Sequence, residues 1–255
     1  MQLFSFTCGA VTIKKRAAID DGVGLVTLPI TAYLVTHPRG NLLFDTGPHA
    51  ELAAPGSSRL GDLSRYMTLE FRPDDHILPR LATVGLGARD ISLIVNSHLH
   101  YDHAGGNEAF PDARICVQRR EWEAAHEPEL IKRNAYNPAD YAVADEARVW
   151  CVDGEHDLHG DGSVVLLPTP GHTSGHQSLR LSIGGRTIIL CGDVCYLLEN
   201  LERRMVSRLS FDVAEAQASL LHLRRLRDAG AEVIVGHDAE QWRGIPQAPL
   251  PIASS

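Results

Sequence analysis

The chain has no apolar run near the ~20 residues that a bilayer-spanning helix needs, which excludes an integral helical membrane protein. Basic charge is also short. Against 32 Asp and Glu stand 24 Lys and Arg, a net −8, and this argues against a duplex nucleic-acid binder, which needs a basic face. Cysteine is sparse: Cys8, Cys116, Cys151, Cys191 and Cys195 are odd in number and form no CxxC pair. Their mostly apolar surroundings fit reduced, buried thiols better than a disulfide framework. The N-terminus starts apolar and turns basic only at Lys14-Lys15-Arg16, the reverse of a signal peptide. A soluble, cytoplasmic protein is expected, without nucleic-acid or membrane partners.

A hydrophobic content of 44% with 22% charged residues suffices for a sizeable core, and 255 residues lie between one large domain and two small ones. Apolar, β-branched runs bounded by Gly or Pro predict strands over 3–6, 25–36, 42–44, 91–95, 113–118, 149–152, 157–158, 164–167, 178–183, 186–190 and 232–235. Pro29 inside the second run marks a bulge or an edge. Helices are predicted over 73–84, 119–126 and 211–228, the last burying Ala214, Leu220, Leu221, Leu223 and Leu226. The irregular stretch 48–72 suits a lid or partner contact, the polar 128–147 reads as a second loop over the site, and the tail beyond Gln247 reads as poorly structured. Two packed sheets with helices outside accommodate this order.

The densest chemistry lies in Ser97-His98-Leu99-His100-Tyr101-Asp102-His103-Ala104-Gly105-Gly106-Asn107. His98 and His100 are two apart, so in extended chain both point to one side. Asp102 and His103 follow where the chain turns, and the small Ala-Gly-Gly run lets backbone pass close to whatever is held. Imidazole with carboxylate suits zinc or another first-row divalent ion. Three further places repeat the design of an apolar strand ending in His or Asp beside Gly: His172, Asp193 and His237. Asp45, in an Asp-Thr-Gly at a strand end, reads as a structural carboxylate capping nearby amides. Ser97, Asp45 and Asp238 are candidates for orienting the imidazoles.

HLHYDH at 98–103, followed by His172, Asp193 and His237, resembles the dinuclear motif of the metallo-β-lactamase superfamily over nearly the whole chain. The resemblance implies a single domain, 1–255, with an α+β fold of the αβ/βα type: two mixed β-sheets flanked by helices. It implies one ion held by His98, His100 and His172, a second held by Asp102, His103 and His237, and Asp193 bridging both. Zinc is the expected metal, with cobalt, manganese or iron as alternatives. Such a pair lowers the pKa of a shared water from ~15.7 toward ~7, and Asp102 is placed to relay its proton to the leaving oxygen.

Within the superfamily, SHLHYDHAGGN, TPGHTSGHQSL from Thr169, GDVCY from Gly192 and VGHDAEQ look like the N-acyl-homoserine lactone lactonases. In that family a Tyr three residues after the bridging Asp donates a hydrogen bond to the lactone, a position that is Tyr196 here. The expected function is therefore quorum-quenching hydrolysis of these lactones by metal-activated hydroxide, with Asp102 and Tyr196 catalytic. Tyr101 departs from the Phe usual in the motif, and the N-terminal acyl-pocket segment does not match around Ile19-Asp20. Another lactone or ester hydrolase, such as a 4-pyridoxolactonase-like enzyme, is the alternative, with a non-catalytic metal-binding module behind it. A monomer or homodimer is expected, the dimer favoured.

Overall fold

The computed structural model of the protein describes residues 1–142 and 145–255. Thirteen-residue β1 (Gln2–Lys14) pairs antiparallel along its length with β2 (Leu25–Thr36). One-turn α1 (Lys15–Ala18) follows β1. The β1–β2 register slips between Thr7 and Ala10, opposite Pro29. The bulge expected at Pro29 thus falls in the partner strand, at Gly9, whose φ is +92°.

Next come β3 (Asn41–Phe44), β4 (Thr68–Glu70), α2 (Ile77–Ala82), β5 (Ile91–Val95), α3 (Tyr101–Ala104), β6 (Arg114–Gln118) and α4 (Arg119–Ala124). The segment predicted as loop over 128–147 contains α5 (Pro128–Arg133) and α6 (Pro138–Tyr141). Each opens with Pro at its first position and a side-chain cap, from Glu127 and Asn137. Positions 143 and 144 of that segment lie outside the described residues. The second half holds β7 (Val149–Val152), β8 (His156–Asp157), β9 (Val164–Pro168), β10 (Gln177–Ile183), β11 (Arg186–Leu190), α7 (Leu198–Arg203), α8 (Val213–Asp228), β12 (Glu232–Ile234), α9 (Ala239–Arg243) and β13 (Ala253–Ser254).

Among the described residues the strands form two mixed sheets. The larger runs β13-β1-β2-β3-β5-β6-β7, with β4 on β1, and the smaller runs β12-β11-β10-β9-β8. β3, β5, β6 and β7 are parallel, as are β11 and β12. The tail departs from expectation. β13 pairs with the start of β1, and Ile252 and Ala253 are buried between the sheets. A two-residue strand carries too little periodicity to show in sequence.

Leu3, Tyr33, Phe44 and Val95 meet Leu166, Leu179, Ile188 and Ile234 in the core between the sheets. The outer face of the larger sheet, with Phe6, Ile30, Ile94 and Ile115, packs on Ile77 and Leu81 of α2 and Ala124 of α4. The outer face of the smaller sheet packs Ile189 and Val233 against Leu220 and Leu223 of α8. Asp212 caps α8 by accepting from Glu215 N–H. Ala216 rather than Ala214 turns inward, and Ala214 is exposed. Fully burying each of these aliphatic side chains is worth about 1.5–3 kcal/mol. Helices therefore cover both outer faces, which is the αβ/βα arrangement expected. No helix among the described residues is long and apolar enough to cross a membrane.

Candidate metal centre

β5 runs parallel between β3 and β6, so its end carries Asn96 to His100 to the rim where β3 ends in Asp45. His100 is the N-cap of α3, which places Asp102 and His103 in that single turn. A Cβ at Gly106 would stand 2.4 Å from the Thr46 carbonyl oxygen, and its N–H donates to Gly47 O at 2.9 Å. The Gly pair therefore seats the loop on the 46–49 backbone, not against the held group as the sequence suggests.

The smaller sheet supplies the rest. β9 and β11 both pair antiparallel to β10, so they run the same way, and β12 runs parallel to β11. Their ends deliver His172, Asp193 and His237 to the same rim. His98, His103, His172, Asp193 and His237 are all at most 3% exposed, Asp102 is 8% exposed, and His100 is half-buried. Ligand atoms lie within 4.8 Å of one another in three groups: His98, His100 and His172; His98, His103 and Asp193; Asp102, His103 and His237. Asp193 joins them, its Oδ1 lying 2.9 Å from His237 Nε2 and 3.3 Å from His103 Nε2, and its Oδ2 lying 3.5 Å from His172 Nε2. All seven residues singled out in sequence come together.

Hydrogen-bond partners orient four of the five rings, whereas His172 Nδ1 has no partner among the described residues. His98 Nδ1 donates to Ser97 Oγ at 2.9 Å, and that hydroxyl donates to Asp45 at 2.8 Å. His103 Nδ1 donates to Asp45 Oδ2 at 2.8 Å, and His237 Nδ1 to the Pro29 carbonyl at 2.8 Å. His100 Nε2 donates to the Asn134 carbonyl. The remaining nitrogens, His98 Nε2, His100 Nδ1, His103 Nε2 and His237 Nε2, all face the cluster, the last lying 2.9 Å from Asp193 Oδ1. His98 Nε2 and His100 Nδ1 stand only 2.9 Å apart, with His172 Nε2 3.1 Å from the latter. Buried His103 Nε2 has no hydrogen-bond partner among the described residues. Lone pairs aimed at one another this closely repel unless a cation lies among them, so the donor set fits divalent ions.

Electrostatics agree. Burial, with the neighbouring imidazoles, holds His98 well below the ordinary imidazole range. Burial does the same for His172 despite the Asp193 carboxylate. Neutral imidazole is the form that binds metal. Burial also opposes charge on His103 and His237, yet Asp193 leads other carboxylates in pushing both upward. Burial opposes ionisation of Asp193 too, but the charges of His237 and His103 hold it well below the carboxylate range. The groups around Asp193 thus favour positive charge, while the His98 and His172 rings stay neutral.

Asp45 does more than cap. Its Oδ1 accepts from Ser97 N–H at 2.7 Å while Oδ2 takes His103, so both of its suggested roles are met at once. Asp238 instead caps α9 through Gln241 N–H and accepts from Leu198 N–H, touching no imidazole of the set. Tyr196 is 7% exposed, its ring centred 5.7 Å from His172 and 5.2 Å from His237. Burial, then the Asp193 charge, keeps its phenol well above the ordinary tyrosine range. Tyr101 turns its hydroxyl to Met67 Sδ. His176, in the TPGHTSGHQSL run and without a role expected from sequence, accepts from Asp193 N–H at 3.0 Å. Burial pushes it down to about 3, so it stays a neutral acceptor that fixes the Asp193 backbone. The Asn134 carbonyl that holds His100 leaves no trace in residue type.

Comparisons with known proteins bear on the family and the fold. The profile of the Metallo-beta-lactamase superfamily matches residues 25–237. N-acyl homoserine lactonase AttM of Azorhizobium caulinodans is 30% identical over 98% of this chain and 97% of its own. N-acyl homoserine lactonase AiiA of Bacillus thuringiensis subsp. kurstaki is 34% identical over 85% of this chain and 84% of its own. Among solved structures, an N-acyl homoserine lactone hydrolase with the product N-hexanoyl-L-homoserine at its catalytic metal centre superposes with a TM-score of 0.84. It is 28% identical and covers 98% of each chain.

Proposed function

Because the chain belongs to the metallo-β-lactamase superfamily, we propose that it is a metal-dependent hydrolase opening the lactone ring of N-acyl homoserine lactones to the free N-acyl homoserine. The observation that carries the reaction class is the convergence of three ligand groups joined by Asp193. The choice of lactone is supported by the relatives' activities and by Tyr196 beside that cluster.

In this reading His98, His100 and His172 would hold one ion, Asp102, His103 and His237 would hold the other, and Asp193 would serve both. Zinc is the proposed metal, with cobalt, manganese or iron able to satisfy the same mixed N/O set. When bound, the ions supply Lewis acidity and lower the pKa of water toward ~7. The protein's own groups do the rest. The two carboxylates Asp102 and Asp193 offset cationic charge. Tyr196, held protonated by burial and Asp193, donates a hydrogen bond to a substrate oxygen as charge builds there. Water adds to the lactone carbonyl carbon, the ring C–O bond breaks, and Asp102 passes the water's proton to the departing ring oxygen. Five free cysteines, four of them buried, suit the cytoplasmic location that we propose with this activity.

The test is direct. Ring opening yields a carboxylic acid, so proton release and chromatography of the product follow it on short- and long-acyl substrates. Activity is expected to vanish on chelation and to return with zinc, cobalt or manganese. Full activity after complete metal removal would overturn the mechanism, and no acid from any acyl chain would overturn the substrate.

A further inference from the structure

Glu121 is a buried carboxylate outside the ligand set, 1% exposed on α4. Its two oxygens reach two different ligand loops. Oε1 accepts from Leu99 N–H at 3.0 Å, between His98 and His100. Oε2 accepts from the Thr173 hydroxyl at 2.8 Å and from Gly175 N–H at 2.9 Å, immediately after His172. The first loop leaves the larger sheet and the second leaves the smaller one, so a single side chain spans the seam between the sheets. Contact at the second loop is very close: a Cβ at Gly175 would stand 2.1 Å from Glu121 N.

We infer that Glu121 is a positioning residue that locks the 98–100 and 172–175 loops together and so sets the geometry of the His98, His100 and His172 group. The inference rests on the ligand assignment proposed above but not on the lactone substrate. The physical case is one of mutual satisfaction. A buried carboxylate is costly unless hydrogen-bonded, and backbone N–H groups in ligand loops are costly unless they donate. Here each cost removes the other, and the arrangement exists only when the two loops stand at the spacing that a single carboxylate spans. His98 and His100 flank Leu99, and His172 adjoins Thr173, so a shift of either loop moves a ligand nitrogen. The Glu121 bonds reach only the loops of the first group, whereas in the second His103 is held by Asp45 and His237 by Pro29 O. Loss of Glu121 should therefore be felt unequally by the two ions.

Glu121→Gln and Glu121→Ala are the variants. Gln keeps one acceptor but turns an NH₂ toward donors, and Ala removes both acceptors. Thr173→Val deletes a single bond and serves if Glu121→Ala does not fold. Leu81→Ala in α2, outside the seam, controls for lost stability. Apo protein is titrated with zinc against a chromophoric chelator, and cobalt-loaded protein is examined by visible absorption for ligand geometry. In the Glu121 variants one of the two ions should bind about 10–100-fold more weakly, with an altered cobalt spectrum. The other ion should be retained, and kcat should fall further than KM rises. Thr173→Val should show a smaller effect of the same kind, and Leu81→Ala neither. Equal weakening of both ions, or spectra and affinities matching the Leu81→Ala control, would overturn the positioning role. If the parent chain itself binds no zinc, the ligand assignment fails, which is a separate result.

Discussion

Asp45 Oδ2 accepts the Nδ1–H of His103 at 2.8 Å while Asp45 itself sits at φ +62°. A left-handed residue that is neither Gly nor Asn is uncommon, and here it turns the carboxylate from the end of β3 back onto the ligand loop. Asp45→Asn should keep the backbone conformation, since Asn tolerates it well, but would set an NH₂ or a weaker acceptor against His103. We expect kcat/KM to fall about 10–100-fold, as for other residues that orient metal ligands. The loss should come with weaker retention of the ion assigned to His103. Unchanged metal affinity and turnover would show that Ser97 alone suffices.

Tyr196 lies against both His172 and His237, and it also packs with Val11, Ile19 and Leu28. Those contacts separate its two roles. Tyr196→Phe keeps the ring and removes the donor, so folding and metal content should match the parent. Turnover should drop by about 10²-fold, the usual cost of a donor that serves developing charge. Measuring kcat together with metal stoichiometry decides the matter: equal rates would leave Tyr196 as packing.

How much of this was readable beforehand follows the physics of each feature. Strands β2, β5, β7 and β11 match the predicted bounds because each is a β-branched apolar run stopped by Gly, Pro, Asn or Asp. The seven converging residues were readable because His or Asp beside Gly at a strand end is a local pattern. Glu121, His176 and Asn134 were not, since their roles lie in contacts that cross between the sheets or use backbone atoms. β1 runs far past its predicted end because its second half is buried by pairing with both β2 and β4, which residue periodicity does not encode. β13 and α9 are short and depend on what they dock against.

His37 and His159 stack at 4.0 Å with their rings 11° from parallel, joining the β2–β3 turn to the β8–β9 turn. Burial first, then the His159 charge, lowers the His37 pKa. The folded state therefore binds this proton less readily than the unfolded chain. Its stabilising share is full above the unfolded value near ~6.5 and is lost as pH falls through that value toward the folded one. Thermal melts from pH 8 to pH 5 should show the midpoint of the parent falling more steeply than that of His37→Gln. Parallel curves would remove His37 from the acid response.

Arg59 and Asp140 connect the 48–72 and 128–147 segments. Arg59 Nε donates to Asp140 Oδ1 at 2.8 Å, and its NH2 group donates to the Ala139 carbonyl at 2.7 Å. The Asp140 side chain is fully buried, and only 13% of the Arg59 side chain is exposed. Burial raises the Asp140 pKa, with Arg59 pulling against it. Arg59→Ala would strand that carboxylate, and breaking a buried pair by removing one partner costs about 3–5 kcal/mol. Without Arg59 the folded pKa of Asp140 should climb further above the unfolded value. The neutral acid then tolerates burial at low pH, and stability is lost as pH rises through the folded pKa. The penalty of Arg59→Ala should thus be larger at pH 8 than at pH 5, and Asp140→Asn in the same background should recover much of it. Hydrogen exchange should localise the loosening to 48–66 and 128–141. A penalty independent of pH, or exchange spread evenly over both sheets, would show that Arg59 acts by packing rather than by holding Asp140.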